Sequence, residues 1–547
     1  MITYHGIQNN VIEWAYSSGK AYADPFNEIR LDIVVSTPDG MQQTVPAFWG
    51  GDQTWRVRFA SPQTGTHTFC TVCSDTSNND LHGREGTLEI SEYTGTNALL
   101  KHGPLRVASD KRHLEHRDGT PFFWLGDTWW MGFTKRLRYP EDFSTLVNDR
   151  VQKGFSLIQI IAGLYPDMPP FDERGANEAG YPWEKDFSRI NPAYFDQADT
   201  RIAHLVRVGL VPCVVGFWGY FLDVAGAEAL KKHWRYLIAR WGAYPVVWCA
   251  AGEALMPYYL SPDFATMLAN IDHTAWLPAD RRAVWTDMLR HIRATDSFHN
   301  PLTIHPTRFG HEQADDATQM DIDWLQTGHG GYRSLANTIN MLEESLAHEP
   351  KMPVLISEVN YEGILEGSRE EIQRFLFWAC LLDGAAGHTY GANGIWQVNT
   401  REKPFGASPH GLSWGYRSWD EAMRLPGSEQ IGLAKKLLER YMWHQFEPHP
   451  EWITHSQTAE NRLGVYAAGI PNQVRIIYVP VESAQFLRTD QPVLQGLEPD
   501  VTYRAFYWDP STAQETDLGT IQQHDGTYQL PLPPILRDWV FVLEAVK

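Results

Sequence analysis

The sequence predicts an α/β protein: a (β/α)8 TIM barrel flanked by an N-terminal and a C-terminal β-sandwich. Three observations predict it. The chain has 547 residues, too many for one ordinary domain but enough for a barrel of ~250 or more residues with two companions. Its two ends carry short strands of alternating polarity, while its middle alternates apolar strand-like runs with helical patterns. Eight such runs can be counted in that middle part. The expected boundaries are 1–98 for an Ig-like sandwich, 99–445 for the barrel and 446–547 for the second sandwich.

Each element follows in order. Ile29, Leu31, Ile33 and Val35 alternate with polar residues, Pro38-Asp39-Gly40 signals a turn, and Trp55-Arg56-Val57-Arg58-Phe59 alternates again. The barrel strands are expected at Phe122–Leu125, Leu157–Ile161, Val211–Phe217, Val246–Ala250, Leu302–Ile304, Ile322–Gln326, Val354–Ser357 and Gly387–Tyr390. Between them Phe195, Ala198, Ile202, Leu205 and Val206 share one helical face, stopped by Gly209. Leu230, Trp234, Leu237 and Trp241 form a second stripe, and Ile339, Leu342 and Leu346 a third. Two long insertions, roughly 163–193 and 391–420, follow the second and eighth strands and fall on the catalytic rim. β texture returns in Arg475–Val479 and Trp539–Leu543, with a turn at Trp508-Asp509-Pro510.

Composition narrows the function. Hydrophobic residues make up 43% and charged residues 20%, which fits a globular chain. The net charge of −20 argues against nucleic acid and anionic lipid as partners and points to a neutral glycan rather than a sulfated or uronate-rich one. The 22 tryptophans supply either large cores or flat platforms for the C–H faces of sugar rings. Five cysteines make no disulfide framework, and Cys70 and Cys73 form a lone C-x-x-C without a second pair. No signal peptide and no membrane-length apolar run is visible, so the chain reads as soluble and cytoplasmic; a chain trimmed of its signal reads the same.

Residues at the C-terminal ends of barrel strands face the active site. That rule picks out Glu253, in Gly252-Glu253 after the fourth strand, and Glu358, in Ser357-Glu358-Val359-Asn360-Tyr361 after the seventh. A carboxylate directly behind an apolar run serves either chemistry or a structural ion pair. Two of them suit glycoside hydrolysis, where one acid protonates the leaving oxygen and one carboxylate attacks or activates water. Other strand ends offer Asp127, Trp129, Trp130, Trp218, His305, His329, Tyr361 and Trp396 as substrate contacts. Gly411-Leu412-Ser413-Trp414-Gly415 matches the G-x-S-x-G elbow of acyl hydrolases but lacks the strand before and helix after it. The first strand ends in Gly-Asp-Thr rather than His-x-His, and no cofactor or metal is expected. The expected partner is an oligosaccharide or glycoside substrate, and a homo-oligomer is compatible with the sequence. A non-catalytic carbohydrate-binding scaffold and a transglycosidase are the alternative readings.

The stretch Pro121-Phe122-Phe123-Trp124-Leu125-Gly126-Asp127-Thr128-Trp129-Trp130 resembles the opening strand of the apiosidase-like glycoside hydrolase barrels. Ser357–Gly363 and His388-Thr389-Tyr390-Gly391-Ala392-Asn393-Gly394-Ile395-Trp396-Gln397 are similar to the same family. The N-terminal Phe48-Trp49-Gly50-Gly51-Asp52 resembles the small sandwich that precedes such barrels, and Tyr507-Trp508-Asp509-Pro510 the collagen-binding-type domain that closes them. The resemblance implies a retaining hydrolase with Glu253 as acid/base and Glu358 as nucleophile. Where this family often has Asp at the strand-four position, the chain has Glu253; where the wider group has Asn before the acid, it has Gly252.

Overall fold

The computed structural model describes residues 2–258, 261, 279–409, 413–481 and 491–546. At the N-terminus a five-stranded sheet faces a three-stranded one. The larger sheet runs Ile2–Ile7, Glu85–Ser91, Gly65–Cys73, Leu31–Ser36, Gln42–Pro46; the smaller joins Ile12–Ser17, Thr54–Phe59 and Phe48–Gly51. The predicted alternation is realised: Leu31, Ile33 and Val35 point inward to meet Trp14, Trp55, Val57 and Leu88.

Eight parallel strands follow: β1 Trp124–Thr128, β2 Leu157–Ile161, β3 Val211–Val215, β4 Val247–Cys249, β5 Leu302–Thr303, β6 Asp323–Gln326, β7 Val354–Glu358 and β8 Gly387–Tyr390. They hydrogen-bond in the order β5-β4-β3-β2-β1-β8-β7-β6. The β5–β6 seam is tied by the Asp321 amide donating to Leu302 O at 2.8 Å and Thr303 Oγ1 donating to Ile322 O at 2.9 Å. Parallel strands buried on both faces read as continuous apolar runs, which is why the runs were legible. β1 differs from expectation. Pro121–Phe122 pairs instead in a small antiparallel sheet with Leu105–Val107 and Leu114–His116, and β1 extends through Asp127 and Thr128. Polar residues can end a fully buried strand here because Thr128 Oγ1 donates to Tyr390 O and Asp127 is ion-paired.

The longer helices among the described residues are α1 Glu141–Gln152, α2 Pro192–Arg207, α3 Ala227–Trp241, α4 Ala279–Thr295, α5 Leu335–Ala347, α6 Glu370–Leu382 and α7 Pro426–Leu438. The predicted stripes on α2 and α3 are buried, as are Ile339 and Leu342 on α5.

At the C-terminus a six-stranded sheet runs Glu447–Pro448, Tyr466–Ile470, Val474–Val479, Trp539–Ala545, Tyr503–Trp508, Glu515–Ile521, with a two-stranded sheet of Val493–Leu494 and Tyr528–Gln529. Its strands are apolar on both faces for a reason. Ile477, Tyr507 and Phe541 form a local core, while Tyr478, Trp508 and Val542 pack toward the barrel. There Trp378 of α6 stacks on Tyr478 at 6.2 Å, and Arg374 bonds Asp538 at 2.7 Å.

The N-terminal sandwich docks through charge as well as packing. Arg58, from the strand Thr54–Phe59, has a buried guanidinium that reaches Asp199 of α2 at 2.5 Å and donates to Arg240 O of α3 at 2.8 Å. Arg240 bonds the same Asp199 at 2.8 Å, and Trp241 Nε1 donates to it at 2.7 Å. A carboxylate this buried persists because its oxygens are fully answered.

Candidate active site

β4 delivers Glu253 and β7 delivers Glu358 to one end of the barrel. Backbone bonds fix the first: the Gly252 amide donates to Phe217 O at 2.9 Å, the Gly219 amide to Gly252 O at 2.6 Å and the Ala254 amide to His305 O at 3.2 Å. Glu253 itself adopts φ +38°, as Asn360 beside Glu358 adopts +34°. Such left-handed backbone at a non-glycine residue costs about 1–3 kcal/mol and persists only where neighbours over-determine it.

Gly252 stands where the resemblance led to an expected Asn, and the structure gives a physical reason. A Cβ at this position would meet Trp218 Cε3 at 2.0 Å. The indole fills the space of a side chain at 252, and Trp218 Nε1 donates to Glu253 Oε2 at 3.1 Å. The glycine is required by the approach of that ring.

The two carboxylates have contrasting partners. Glu358 Oε2 lies 3.0 Å from His305 Nε2, and its Oε1 2.9 Å from His329 Nε2. His329 Nδ1 accepts from the Tyr361 amide at 3.2 Å, so the ring proton sits on Nε2 and points at the carboxylate. Burial opposes ionisation of Glu358, but donation from the two histidines outweighs it and holds the carboxyl well below the usual range. Glu253 is pushed the other way, up to about 7, by burial first and then by the negative charge of Glu358. Gln326, the last residue of β6, joins them: its Nε2 is 2.9 Å from Glu253 Oε1 and 3.5 Å from Glu358 Oε1. The two oxygens are therefore no further apart than those distances combined.

Aromatic residues surround the pair. Trp130 meets Trp218 edge-on at 5.7 Å and His305 at 5.5 Å. Tyr361 lies 4.6 Å from His329 and 6.5 Å from Trp396, measured between ring centres. Gly391 allows that Tyr361 position, since a Cβ there would come within 2.1 Å of the ring. The structure thus groups Glu253, Glu358, Trp130, Trp218, His305, His329, Tyr361 and Trp396.

Asp127 and Trp129, expected at the substrate, are set apart from this group by their partners rather than by burial, which His305 and Trp130 share. Asp127 Oδ2 takes Arg150 Nε of α1 at 2.6 Å and Trp129 Nε1 at 2.7 Å, while Oδ1 accepts from the Thr128 amide at 2.9 Å. Trp129 packs edge-on against Phe143 of the same helix at 5.7 Å. These groups clamp β1 to α1, outside the mouth, and have no face left for a sugar.

Two residues near the pair escaped sequence reasoning. Gln326 ends a predicted strand, so the strand-end rule could have found it. Asp167, in the insertion after β2, accepts from Trp414 Nε1 at 2.9 Å and left no local signal. Ser413 sits in irregular chain with no helix directly after it; Gly411 and Leu412 of the same motif lie outside the described residues. Cys70 and Cys73 are free thiols three apart on one strand, where side chains point to opposite faces. Among the described residues no three His, Cys, Asp or Glu side chains group so as to hold a metal ion, and no helix is long and apolar enough to cross a membrane.

Comparisons with known proteins agree with this architecture. A glycoside hydrolase structure aligns with a TM-score of 0.66 at 20% identity, covering 83% of this chain and 98% of its own. A glycoside hydrolase family 5 protein from Bacteroides vulgatus aligns at 0.63 and 20% identity, covering 83% and 95%. A second protein from that organism aligns at 0.69 and 16% identity over 99% of this chain and 100% of its own. At these identities the likeness is one of fold. A comparison with curated proteins gives no match. Residues 8–74 match a domain of unknown function, DUF5060. Residues 108–445, well over half the chain, match the family described as "Apiosidase-like, catalytic domain". The chain belongs to the apiosidase-like glycoside hydrolases.

Proposed function

We propose that this glycoside hydrolase works with retention of configuration on plant-type oligosaccharides or glycosides, using Glu253 as acid/base and Glu358 as nucleophile. The observation that carries the reading is the contrast between two adjoining carboxylates: His305 and His329 grip Glu358 at 3.0 and 2.9 Å and pull its carboxyl down, while Glu253, buried beside it against Trp218 and Gln326, is pushed up to about 7. General acid and nucleophile need those opposite states at one pH. The Gln326 amide touches both carboxylates, at 2.9 and 3.5 Å, which keeps the pair within reach of one anomeric carbon.

In the first step a Glu358 oxygen attacks the anomeric carbon. The glycosidic C–O bond breaks with its electron pair going to the leaving oxygen, which takes the Glu253 proton. In the second step Glu253, now a base, removes a proton from water; the water oxygen bonds to the anomeric carbon and Glu358 departs as carboxylate. His305 and His329 stabilise that carboxylate at both ends of the cycle. Trp130, Trp218, Tyr361 and Trp396 provide apolar walls for a sugar ring.

The test is a screen of aryl glycosides and plant oligosaccharides, followed by Glu358→Ala on the best substrate. The variant is expected to be inactive and to recover turnover with azide, giving the inverted glycosyl azide. Full activity without azide would remove the assignment. An acceptor sugar in place of water makes the same site a transglycosidase, and product analysis at high acceptor concentration separates the two.

A further inference from the structure

We propose that Asp167 and Trp414 form the leaving-group subsite, a polar clasp that holds a sugar aglycone beside Glu253. The inference rests on the assignment of Glu253 as acid/base. Trp414 comes from the Gly-Leu-Ser-Trp-Gly motif that the reaction otherwise leaves unused. Its Nε1 donates to Asp167 Oδ2 at 2.9 Å and to Ser408 Oγ at 3.2 Å, and its carbonyl accepts from the Leu365 amide at 3.3 Å. One residue, through its indole and its carbonyl, therefore joins the insertions after β2 and β8 and the loop after β7.

The clasp lies on the acid/base side. Three residues before Asp167, the Leu164 carbonyl accepts from the Trp218 amide at 2.8 Å, and the next amide, Gly219, bonds Gly252 O at 2.6 Å. The Asp167 loop is thus laced through the Trp218 loop to the one bearing Glu253. Asp167 also adds to the upward push on Glu253. The residue is 7% exposed and held at φ +58°, a conformation the neighbours must enforce. Two residues past Trp414, Tyr416 is 78% exposed and carries the rim outward.

Chemistry supplies the occupant. The acid protonates the leaving oxygen, so the departing group sits against Glu253 and whatever lies beyond it. A sugar there presents C–H faces to an indole and hydroxyl donors to a carboxylate. A nitrophenolate presents no such donors and leaves without protonation.

The experiment compares two substrates sharing the glycone found by a 4-nitrophenyl glycoside screen: a disaccharide and the 2,4-dinitrophenyl glycoside. Trp414→Ala is expected to lower kcat/KM for the disaccharide on the order of 10–100-fold more than for the dinitrophenyl glycoside. Trp414→Phe keeps the ring but loses the donor, guards against misfolding, and should fall between. Asp167→Asn keeps an acceptor for Trp414 and removes the charge, so the basic limb of the disaccharide pH profile should move to lower pH. Equal losses on both substrates, or undiminished disaccharide cleavage by Trp414→Ala, would overturn the subsite, as would wild type that cleaves only the dinitrophenyl compound. Wild type inactive on both, with Glu358→Gln indistinguishable from it, would instead remove the hydrolytic assignment and the subsite with it.

Discussion

The first strand of the barrel carries a buried carboxylate one residue before its end and the seventh ends in one, and the two have different surroundings. Asp127 of β1 is met by Arg150, a permanent cation reaching in from α1, at 2.6 Å. Glu358 of β7 is met by His305 and His329, imidazoles from beyond the ends of β5 and β6, at 3.0 and 2.9 Å. A guanidinium on the surrounding helix draws the carboxylate toward the layer between barrel and helices and consumes its lone pairs. Imidazoles on the rim hold it in the mouth, ionised and facing Glu253. Strand-end position finds carboxylates; the partner decides whether one braces the frame or stays in the mouth, where the proposed chemistry needs it.

The largest expected effect is at the seventh strand. Glu358→Gln should lower kcat on the order of 10⁴-fold while leaving the urea midpoint close to wild type. Loss of folding in place of loss of turnover would make the two ends alike. Next comes the first strand. Arg150→Met leaves Asp127 buried and unpaired, which should cost about 3–5 kcal/mol in urea unfolding. Adding Asp127→Asn should restore part of it, and an unchanged midpoint in the single variant would break the contrast.

Gly252→Asn tests whether the Trp218 arrangement replaces the commoner asparagine. With Trp218 Cε3 at 2.0 Å from the new Cβ, the variant should lose about 1–3 kcal/mol and most of its activity. Pairing it with Trp218→Ala should relieve the stability loss.

The last effect is electrostatic. The unfolded chain releases the Glu253 proton near 4.5 and the folded chain only near 7. Between those values the folded state binds more protons, so this residue makes stability fall as pH rises through the window. Glu253→Gln should therefore melt above wild type at pH 8, with the difference vanishing as pH drops below about 4.5. Wild-type kcat/KM should also decline above about 7 as the acid deprotonates.

The sequence exposes what depends on local pattern. β2 falls at the expected residues because a buried parallel strand is a nearly continuous apolar run, β8 falls there too although it carries His388 and Thr389, and the α2 and α3 stripes show because one helical face is buried. Glu253, Glu358, His305 and His329 follow from the same position rule. Asp127 and Trp129 mislead that rule because their true partner lies on a helix 23 residues from the aspartate. Asp167 and Trp414 are 247 residues apart in two irregular insertions, where no periodicity links them. Gly252 reads as an omission until the indole that replaces the missing side chain is seen.

The Arg58 network has a consequence for synthesis of the chain. The N-terminal sandwich is complete once its strand Glu85–Ser91 has emerged and paired with Ile2–Ile7. The aspartate that answers Arg58 lies 141 residues beyond the arginine. At roughly 5–20 residues per second, those 141 residues take on the order of ten seconds to follow, and until then the guanidinium has Glu13 of its own sandwich, at 2.6 Å, as its ionic partner. The arrival of α2 and α3 then supplies Asp199 and the Arg240 carbonyl, which complete the shell of that guanidinium.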